Sequence, residues 1–82
     1  MQVDFDATLN VVRNFIREKK GPMADQVQAD TALLQDGYVD SFGLIALIAE
    51  LEKQLQVTIP DGALIPEDFE TPQVLFSRLQ EV

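Results

Sequence analysis

Residues 36–50 read DGYVDSFGLIALIAE, and the prediction of the fold starts from this stretch of the 82-residue chain. Apolar residues spaced by three and four predict a helix over residues 41–56. Its core face holds Leu44, Leu47, Ile48, Leu51 and Leu55. Ser41 is expected in the first turn, where serine is a favoured N-cap that stabilises a helix by about 1 kcal/mol.

This predicted helix also has a second apolar face. Opposite the core face lie Phe42, Ala46 and Ala49, with Ile45 at the flank and Gly43 between the two faces. Three interpretations are open. The loop before the helix folds over this patch, the patch is an instance of the exposed apolar residues that are normal in soluble proteins, or it is a docking surface for another protein.

The N-terminal half predicts one more helix and a long connection. Helical spacing of apolar residues indicates a first helix over residues 4–19, which Gly21-Pro22 ends. Residues 21–40 show no clear period and are interpreted as a long loop. Leu33 and Leu34 are expected to hold that loop against the core.

The C-terminal part predicts shorter elements. Residues 57–59 alternate as an isolated extended segment would, and residues 64–69 suit a short helical turn. Thr71-Pro72 predicts the N-cap and first residue of a last helix. The predicted fold is therefore an all-α four-helix bundle, with three main helices, one short helix and a long loop between the first two.

Composition limits the function. The chain is short enough to form one domain over residues 1–82. It has no cysteine and no histidine, which excludes a disulfide framework, a cysteine-ligated zinc site and a self-sufficient hydrolytic triad. Fourteen acidic against six basic residues give a net charge of −8. That charge argues against nucleic-acid and anionic-membrane partners and suits basic patches on other proteins.

The chain also carries no evident targeting signal. Its first ten residues hold early acids rather than a basic segment followed by an apolar run, so we expect no signal peptide. The longest unbroken apolar run, residues 44–49, is far too short for a membrane span. We therefore expect a cytoplasmic monomer without membrane insertion.

Acidic and basic clusters were considered as metal, catalytic or anion sites. Asp30 is followed by Thr31-Ala32-Leu33-Leu34, which breaks the EF-hand pattern, so no metal site is predicted. The adjacent Glu67-Asp68 pair does not share a helix face, which disfavours a catalytic carboxylate pair. The excess of negative charge disfavours functional anion binding at a basic cluster that ends the first helix, Arg13, Arg17, Lys19 and Lys20.

Ser41 has a possible role beyond capping. At a helix N-terminus its hydroxyl lies beside unpaired backbone N–H groups, where a phosphate joined to that oxygen is electrostatically favoured. With no histidine in the chain to deprotonate it, Ser41 cannot be an efficient nucleophile unaided. We therefore interpret Ser41 as a residue that another enzyme modifies.

Together these features resemble the acyl carrier protein family, small acidic helical domains modified with 4′-phosphopantetheine on a serine. The resemblance covers nearly the whole chain. It is strongest to D-alanyl carrier proteins and stand-alone aminoacyl carriers served by AMP-forming ligases. The residues that carry it are Asp30-Thr31-x-Leu33-Leu34, Gly37-x-Val39-Asp40-Ser41-Phe42-Gly43, the apolar helix through Leu55, Ile59-Pro60, Pro66-Glu67-Asp68-Phe69 and Thr71-Pro72-x-x-Leu75.

The resemblance implies a role for each of these positions. Ser41 would carry 4′-phosphopantetheine covalently, with cargo held as a thioester on its thiol. Asp40 would assist the phosphopantetheinyl transferase, near its magnesium. The partner contacts to an AMP-forming adenylating ligase, and then to a downstream acyl-accepting enzyme, would involve Asp40, Phe42, Gly43, Ile45, Ala46 and Ala49. The carrier itself would catalyse nothing.

Two alternatives remain beside an aminoacyl or other small acyl carrier. Fatty-acid carriers more often have glycine three residues before the serine and acids along the exposed face of the modified helix. Here the glycine, Gly37, is four residues before Ser41, and Gly43, Ala46 and Ala49 lie on or near that face. A polyketide or fatty-acyl carrier is one alternative, and an unmodified helical adaptor that keeps the fold is the other.

Overall fold

Helices form all the regular structure in the computed structural model, which describes residues 3–60 and 62–81. The main helices are α1 at Phe5–Lys20, α2 at Ser41–Leu55 and α3 at Pro72–Glu81. Two short 3-10 helices occupy Gly21–Gln26 and Pro66–Phe69. The part of the chain that the structure describes contains no strand. The all-α prediction is confirmed, and each predicted main helix lies within a residue or two of its observed bounds.

The first main helix is the centre of the bundle. It packs against both α2 and α3, while the second 3-10 helix contacts α2 and α3 on the other side. Its apolar stripe is buried as the spacing predicts, because residues three and four apart share one face of a helix. An edge-to-face contact of Phe5 with Phe76, with ring centroids 5.3 Å apart, adds to the α1–α3 packing. The fully buried side chains of the core include Val12, Ile16, Val27, Leu33, Leu47, Leu51, Phe69, Leu75 and Leu79.

The connection between α1 and α2 contains an element that the sequence analysis interpreted as loop. Gly21 ends α1 with a positive φ of 68°, as the Gly21-Pro22 signal predicts. Gly21–Gln26 then forms a 3-10 helix with Pro22 at its start. Proline is tolerated there because the first turn of a helix leaves its N–H groups unpaired in any case. The prediction of loop over residues 21–26 was therefore wrong, and the loop proper covers residues 27–40.

This loop is anchored to the core and to the segment that precedes α3. Leu33 is fully buried, and its backbone N–H donates to the Glu70 carbonyl at 3.0 Å. The Leu33 carbonyl in turn accepts the N–H groups of Tyr38 at 2.9 Å and Val39 at 3.1 Å. Leu34 is half-buried against the core. Both leucines hold the loop to the core as predicted, and together these bonds position the residue that precedes α2.

The chain after α2 is held by side chains of its neighbours. Gln56 adopts the left-handed conformation that ends many helices, with a φ of 55°. The Glu52 carboxylate accepts the N–H of buried Ile59 at 2.9 Å, so the segment over residues 57–60 bonds to α2 and not to a strand. Before α3, the Thr71 hydroxyl accepts the Val74 N–H at 3.1 Å, which confirms the predicted N-cap.

Candidate functional site

Asp40, and not Ser41, is the N-cap of α2. Asp40 has an extended backbone (φ −107°, ψ 179°), and its Oδ1 accepts the Gly43 N–H at 2.6 Å. An N-cap needs this non-helical backbone together with a side-chain oxygen that reaches the second or third N–H of the helix. Ser41 already belongs to the helix as its first residue. The prediction of Ser41 as the cap was wrong, and its hydroxyl is left for another use.

Gly43 allows the cap to approach closely. A Cβ at this position would lie 3.1 Å from Asp40 Oδ1, 3.2 Å from Val39 Cγ1 and 3.9 Å from Phe15 Cε2. The first two separations are shorter than ordinary van der Waals contact, so a side chain here would push against the capping carboxylate and a buried valine. Glycine at this position therefore has a packing role at the junction of α1, the loop and α2.

The turn before Asp40 requires the glycine of the motif. Gly37 has a φ of 79°, a left-handed conformation that residues with a Cβ rarely adopt. It follows a helical turn in which the Asp36 N–H donates to the Ala32 carbonyl at 2.9 Å. The turn brings Val39 into the core, where it is 4% exposed, and leaves Ser41 at the surface. Because Val39 is fixed in the core, Ser41, two residues further along the chain, is held at the surface.

The second apolar face of α2 is open to solvent. Phe42 is 87% exposed and Ile45 is 72% exposed, and Ala46 and Ala49 are also exposed. The hypothesis that the preceding loop covers this patch is wrong, because Phe42 and Ile45 keep most of their surface in solvent and the loop only borders the patch through Leu34 and Tyr38. On one side the patch borders a hollow of about 310 Å³, lined by Ile45, Ile48, Ala49, Glu52, Ile59, Pro60, Gly62 and Leu64.

On its other side the patch borders a larger groove that contains Ser41. This Ser41 groove has a volume of about 720 Å³. Its walls come from three parts of the chain, the end of α1, the loop and the first turns of α2. They include Phe15, Lys19, Lys20, Leu34, Tyr38 and Ser41.

The structure brings most of the predicted site residues together. Asp40, Ser41, Phe42, Gly43 and Ala46 line one groove, and Ile45 and Ala49 continue the exposed face along α2. The groove also has four residues that were not predicted as neighbours of Ser41, namely Lys19, Lys20, Leu34 and Tyr38. The basic cluster at the end of α1 was a signal for the two lysines, but nothing in the sequence placed it beside the serine.

Comparisons with known proteins show which family and which relatives the chain is similar to. A protein-family model described as "Phosphopantetheine attachment site" matches residues 10–78. A D-alanyl carrier protein of Streptococcus suis (strain 98HAH33) is 30% identical over 77 residues, which cover 94% of this chain and 91% of the relative. One from Bacillus mycoides (strain KBAB4) is 24% identical over 53 residues, 65% of this chain and 67% of the relative. No solved structure gives a significant match.

No helix among the described residues has both the length and the apolar composition that crossing a membrane requires. The longest, α1, has 16 residues and alternates its buried stripe with charged positions.

Proposed function

The chain belongs to the phosphopantetheine-attachment family, and on this premise we propose that Ser41 is the residue that carries the 4′-phosphopantetheine group. The family holds this group covalently on a serine, and the chain has two serines, Ser41 and Ser77. Ser77 lies in the middle of α3, between Phe76 and Arg78. Ser41 begins α2 beside an open groove, and this position is the observation that carries the proposal.

The surroundings of Ser41 fit a phosphodiester-linked group. Its side chain is exposed, so a transferase can reach the hydroxyl. Because Asp40 supplies the cap, the Ser41 oxygen can be esterified without removing the hydrogen bond that starts α2. Lys19 and Lys20 line the same groove and place positive charge near the expected phosphate.

When bound, the group supplies a terminal thiol on a flexible arm, and cargo is held there as a thioester. The chain contributes position, since a tethered cargo meets each partner enzyme at high effective concentration. With no histidine in the chain, the base that deprotonates Ser41 belongs to the transferase. Asp40 Oδ1 is engaged by the Gly43 N–H, so Oδ2 would be the Asp40 oxygen available to a magnesium ion that the transferase holds.

The cargo that we propose is an aminoacyl or other small acyl group, loaded by an AMP-forming ligase and passed to a downstream acyl-accepting enzyme. Two findings support it. The relatives from Streptococcus suis and Bacillus mycoides are D-alanyl carrier proteins. The exposed start of α2 presents Phe42, Ile45 and Ala46 and no carboxylate, which suits apolar contacts with a ligase better than charge-dominated docking.

Intact-mass measurement tests the attachment. The protein is incubated with coenzyme A, magnesium and a broad-specificity phosphopantetheinyl transferase. We expect a mass gain of one phosphopantetheine in the wild type and in Ser77→Ala, and none in Ser41→Ala. A gain that survives Ser41→Ala and disappears in Ser77→Ala would transfer the site to α3.

Loading of the modified protein tests the cargo. A ligase of the D-alanine type, with ATP and its amino acid, is expected to add a thioester-bound aminoacyl mass that hydroxylamine removes. Loading by fatty-acyl enzymes together with indifference to every aminoacyl ligase tried would contradict the proposed cargo. It would leave the attachment at Ser41 intact and favour the fatty-acyl alternative.

A further inference from the structure

The Ser41 groove contains more than the attachment of a prosthetic group requires. A serine that only accepts a group and presents it to solvent needs exposure and a stable helix start. Here the exposed serine also borders two cations and an apolar wall, which come from α1 and the loop. We propose, resting on the proposed function, that the groove is a docking site for the prosthetic arm. In it Lys19 and Lys20 bind the phosphodiester, and Phe15, Leu34 and Tyr38 pack against the apolar part that follows.

The two lysines are the basic residues available for this contact. The chain has six basic residues. Arg13 donates to the Val27 carbonyl, with Nε at 2.9 Å and Nη2 at 2.7 Å. Within residues 3–60 and 62–81, the salt bridges engage Arg17 and Arg78 but neither Lys19 nor Lys20. An anion in the groove therefore breaks none of the ion pairs that the described residues form.

Packing holds one of these lysines at the α1–α2 junction. Lys19 Nζ lies 5.4 Å from the centroid of the Phe15 ring, within the range of a cation–π contact. The edge of the same ring, at Cε2, lies 3.9 Å from the Cβ position of Gly43 in the first turn of α2. Phe15 is only 6% exposed, so it is a fixed support and not a mobile surface ring. Phe15 and Lys19 thus lie at the junction of α1 and α2, and both line the groove that contains Ser41.

Charge favours the same occupant. A phosphodiester on Ser41 would lie next to the carboxylate of Asp40, which lines the same groove. Like charges at such short range repel, and the repulsion is relieved when cations stand on the other side. Lys19 and Lys20 together carry two positive charges. These balance the negative charge of the Asp40 carboxylate and the negative charge of a phosphodiester. A neutral ligand would leave one of the two lysine charges unbalanced, and a cationic ligand would add to that excess.

The apolar wall matches the chemistry next to the phosphate. In 4′-phosphopantetheine the phosphate oxygen is followed by a methylene and then by a carbon that bears two methyl groups. A carbon that bears a hydroxyl comes next, and only then the amides. Phe15 is buried, and Leu34 and Tyr38 are half-buried, so together they offer a mainly apolar surface within the same groove. Packing of the methyl groups against this wall removes apolar area of both partners from water.

Comparison of amide NMR spectra before and after modification tests the docking. The modified protein is first verified by intact mass. We expect shift changes at Phe15, Leu34 and Tyr38 as well as at residues 40–42. Lys19→Gln and Lys20→Gln are each expected to lower the docked population about 2- to 5-fold. The shift changes at Phe15, Leu34 and Tyr38 should become smaller in the same proportion. About 1 M NaCl, with a screening length of about 3 Å, should act in the same direction.

Lys53→Gln is the matched control. It makes the same charge change at an exposed lysine of α2 that does not line the groove. We expect its modified form to keep the full shift pattern. Two results would overturn the docking and leave the attachment in place. One is a set of shift changes confined to residues 40–42 in a protein of correct mass. The other is an equal loss of the shift changes in all three lysine variants. Absence of a mass gain would instead overturn the proposed function itself.

Discussion

Asp40 and Ser41 are neighbours with separate tasks. The Asp40 carboxylate completes the start of α2, while the Ser41 hydroxyl stays exposed beside the groove. This separation has a chemical advantage, because esterification removes the hydroxyl proton and adds bulk and negative charge at the serine oxygen. A helix capped by that serine would change its cap with every modification. With Asp40 as the cap, the same hydrogen bond can persist in the modified and unmodified protein.

We predict that Asp40→Ala lowers the free energy of unfolding by about 1 kcal/mol, the usual loss for a removed N-cap. Ser41→Ala is expected to change it by less than about 0.5 kcal/mol, as for other exposed positions. Urea unfolding of the unmodified proteins, followed by circular dichroism, measures both values. A larger loss for Ser41→Ala than for Asp40→Ala would show that the serine caps α2 after all.

Asp40→Asn separates the cap from the charge. Asparagine caps helices about as well as aspartate, so this variant should keep nearly all of the stability. If Asp40 also serves the transferase through its charge, Asp40→Asn is expected to slow modification while the fold is preserved. Normal modification of this variant would limit Asp40 to its structural task.

Gly43 shows how one residue can serve both the cap and the packing of α1. Alanine is usually favoured over glycine in a helix by about 1 kcal/mol. Here the neighbours of a new Cβ are the capping carboxylate and Val39, which is buried and has little room to move. The gain in helix propensity from Gly43→Ala is therefore opposed by two close contacts of the new Cβ, one with each of these neighbours. This conflict explains glycine in the first turn of an otherwise strongly helical segment.

At the scale of elements, α2 has two apolar faces with different energetics. Leu47 and Leu51 are fully buried against α1, whereas Phe42 and Ile45 project into solvent. Hydrophobic burial stabilises the fold only through the first pair, because the second pair remains in water in the folded protein. The exposed face therefore adds little to the stability of the isolated chain and is left available for the partner contacts proposed above.

We predict that Leu47→Ala lowers the free energy of unfolding by about 2–5 kcal/mol, the range for removal of a fully buried leucine. In a marginally stable small domain this loss can prevent folding. Ile45→Ala and Phe42→Ala, in the same helix, should each change it by less than about 0.5 kcal/mol. Thermal and urea unfolding of the three variants give the comparison.

Binding to the loading enzyme should follow the opposite order. Phe42→Ala is expected to weaken binding of the modified carrier to its ligase while leaving the unfolding curve unchanged, because exposed aromatic side chains are frequent binding hot spots. Calorimetric titration measures this affinity. A loss of several kcal/mol of stability in Phe42→Ala would mean that the second face is part of the core.

Periodicity carried the prediction of the elements. The spacing of Leu44, Leu47 and Leu51 placed the core face of α2 correctly, and Thr71-Pro72 placed the start of α3. Periodicity did not predict two features. The 3-10 helix at Gly21–Gln26 has no apolar repeat of its own, and its Gly-Pro start also signals the end of the preceding helix. The choice of Asp40 over Ser41 as cap depends on backbone angles that either residue could have adopted.

The composition of the candidate site was harder to predict than its position. The motif around Ser41 is local, so the sequence located it directly. Lys19 and Tyr38 join it through the packing of Phe15 on α2 and the anchoring of Leu33 to Glu70. Each of these contacts joins residues that are far apart in the sequence, and the second involves a loop without regular structure. Periodic patterns of residues carry little information about such contacts.

At the scale of the whole molecule, negative charge is abundant but unevenly placed. The net charge of −8 is carried by a chain whose extents are 30 × 22 × 20 Å, so like charges are close together. The first turns of α2 hold no acid, and the Ser41 groove has two lysines. The surface around the serine is thus less negative than the rest. A basic partner would be attracted by the whole field, while its closest contacts at α2 would be apolar.

Self-repulsion should make the fold more stable in salt. A net charge far from zero destabilises the compact state, and salt screens that repulsion. Salt also weakens attractive ion pairs, but this loss is small for the pair of Arg17 with Asp25, because that pair is exposed and exposed pairs contribute little to stability. We predict that about 0.5 M NaCl stabilises the protein by roughly 1 kcal/mol, which raises Tm by about 4–8 °C for a domain of this size.

Scanning calorimetry at low and high NaCl measures this shift, and a charge-reduced variant serves as its control. Glu18→Gln with Asp30→Asn removes two exposed carboxylates that make no salt bridge within the described residues, which changes the net charge from −8 to −6. Its Tm should be higher at low salt and should rise less with NaCl, because less repulsion remains to be screened. A wild-type Tm that falls on addition of salt would mean that attractive pairs, such as Arg78 with Asp68, outweigh the repulsion.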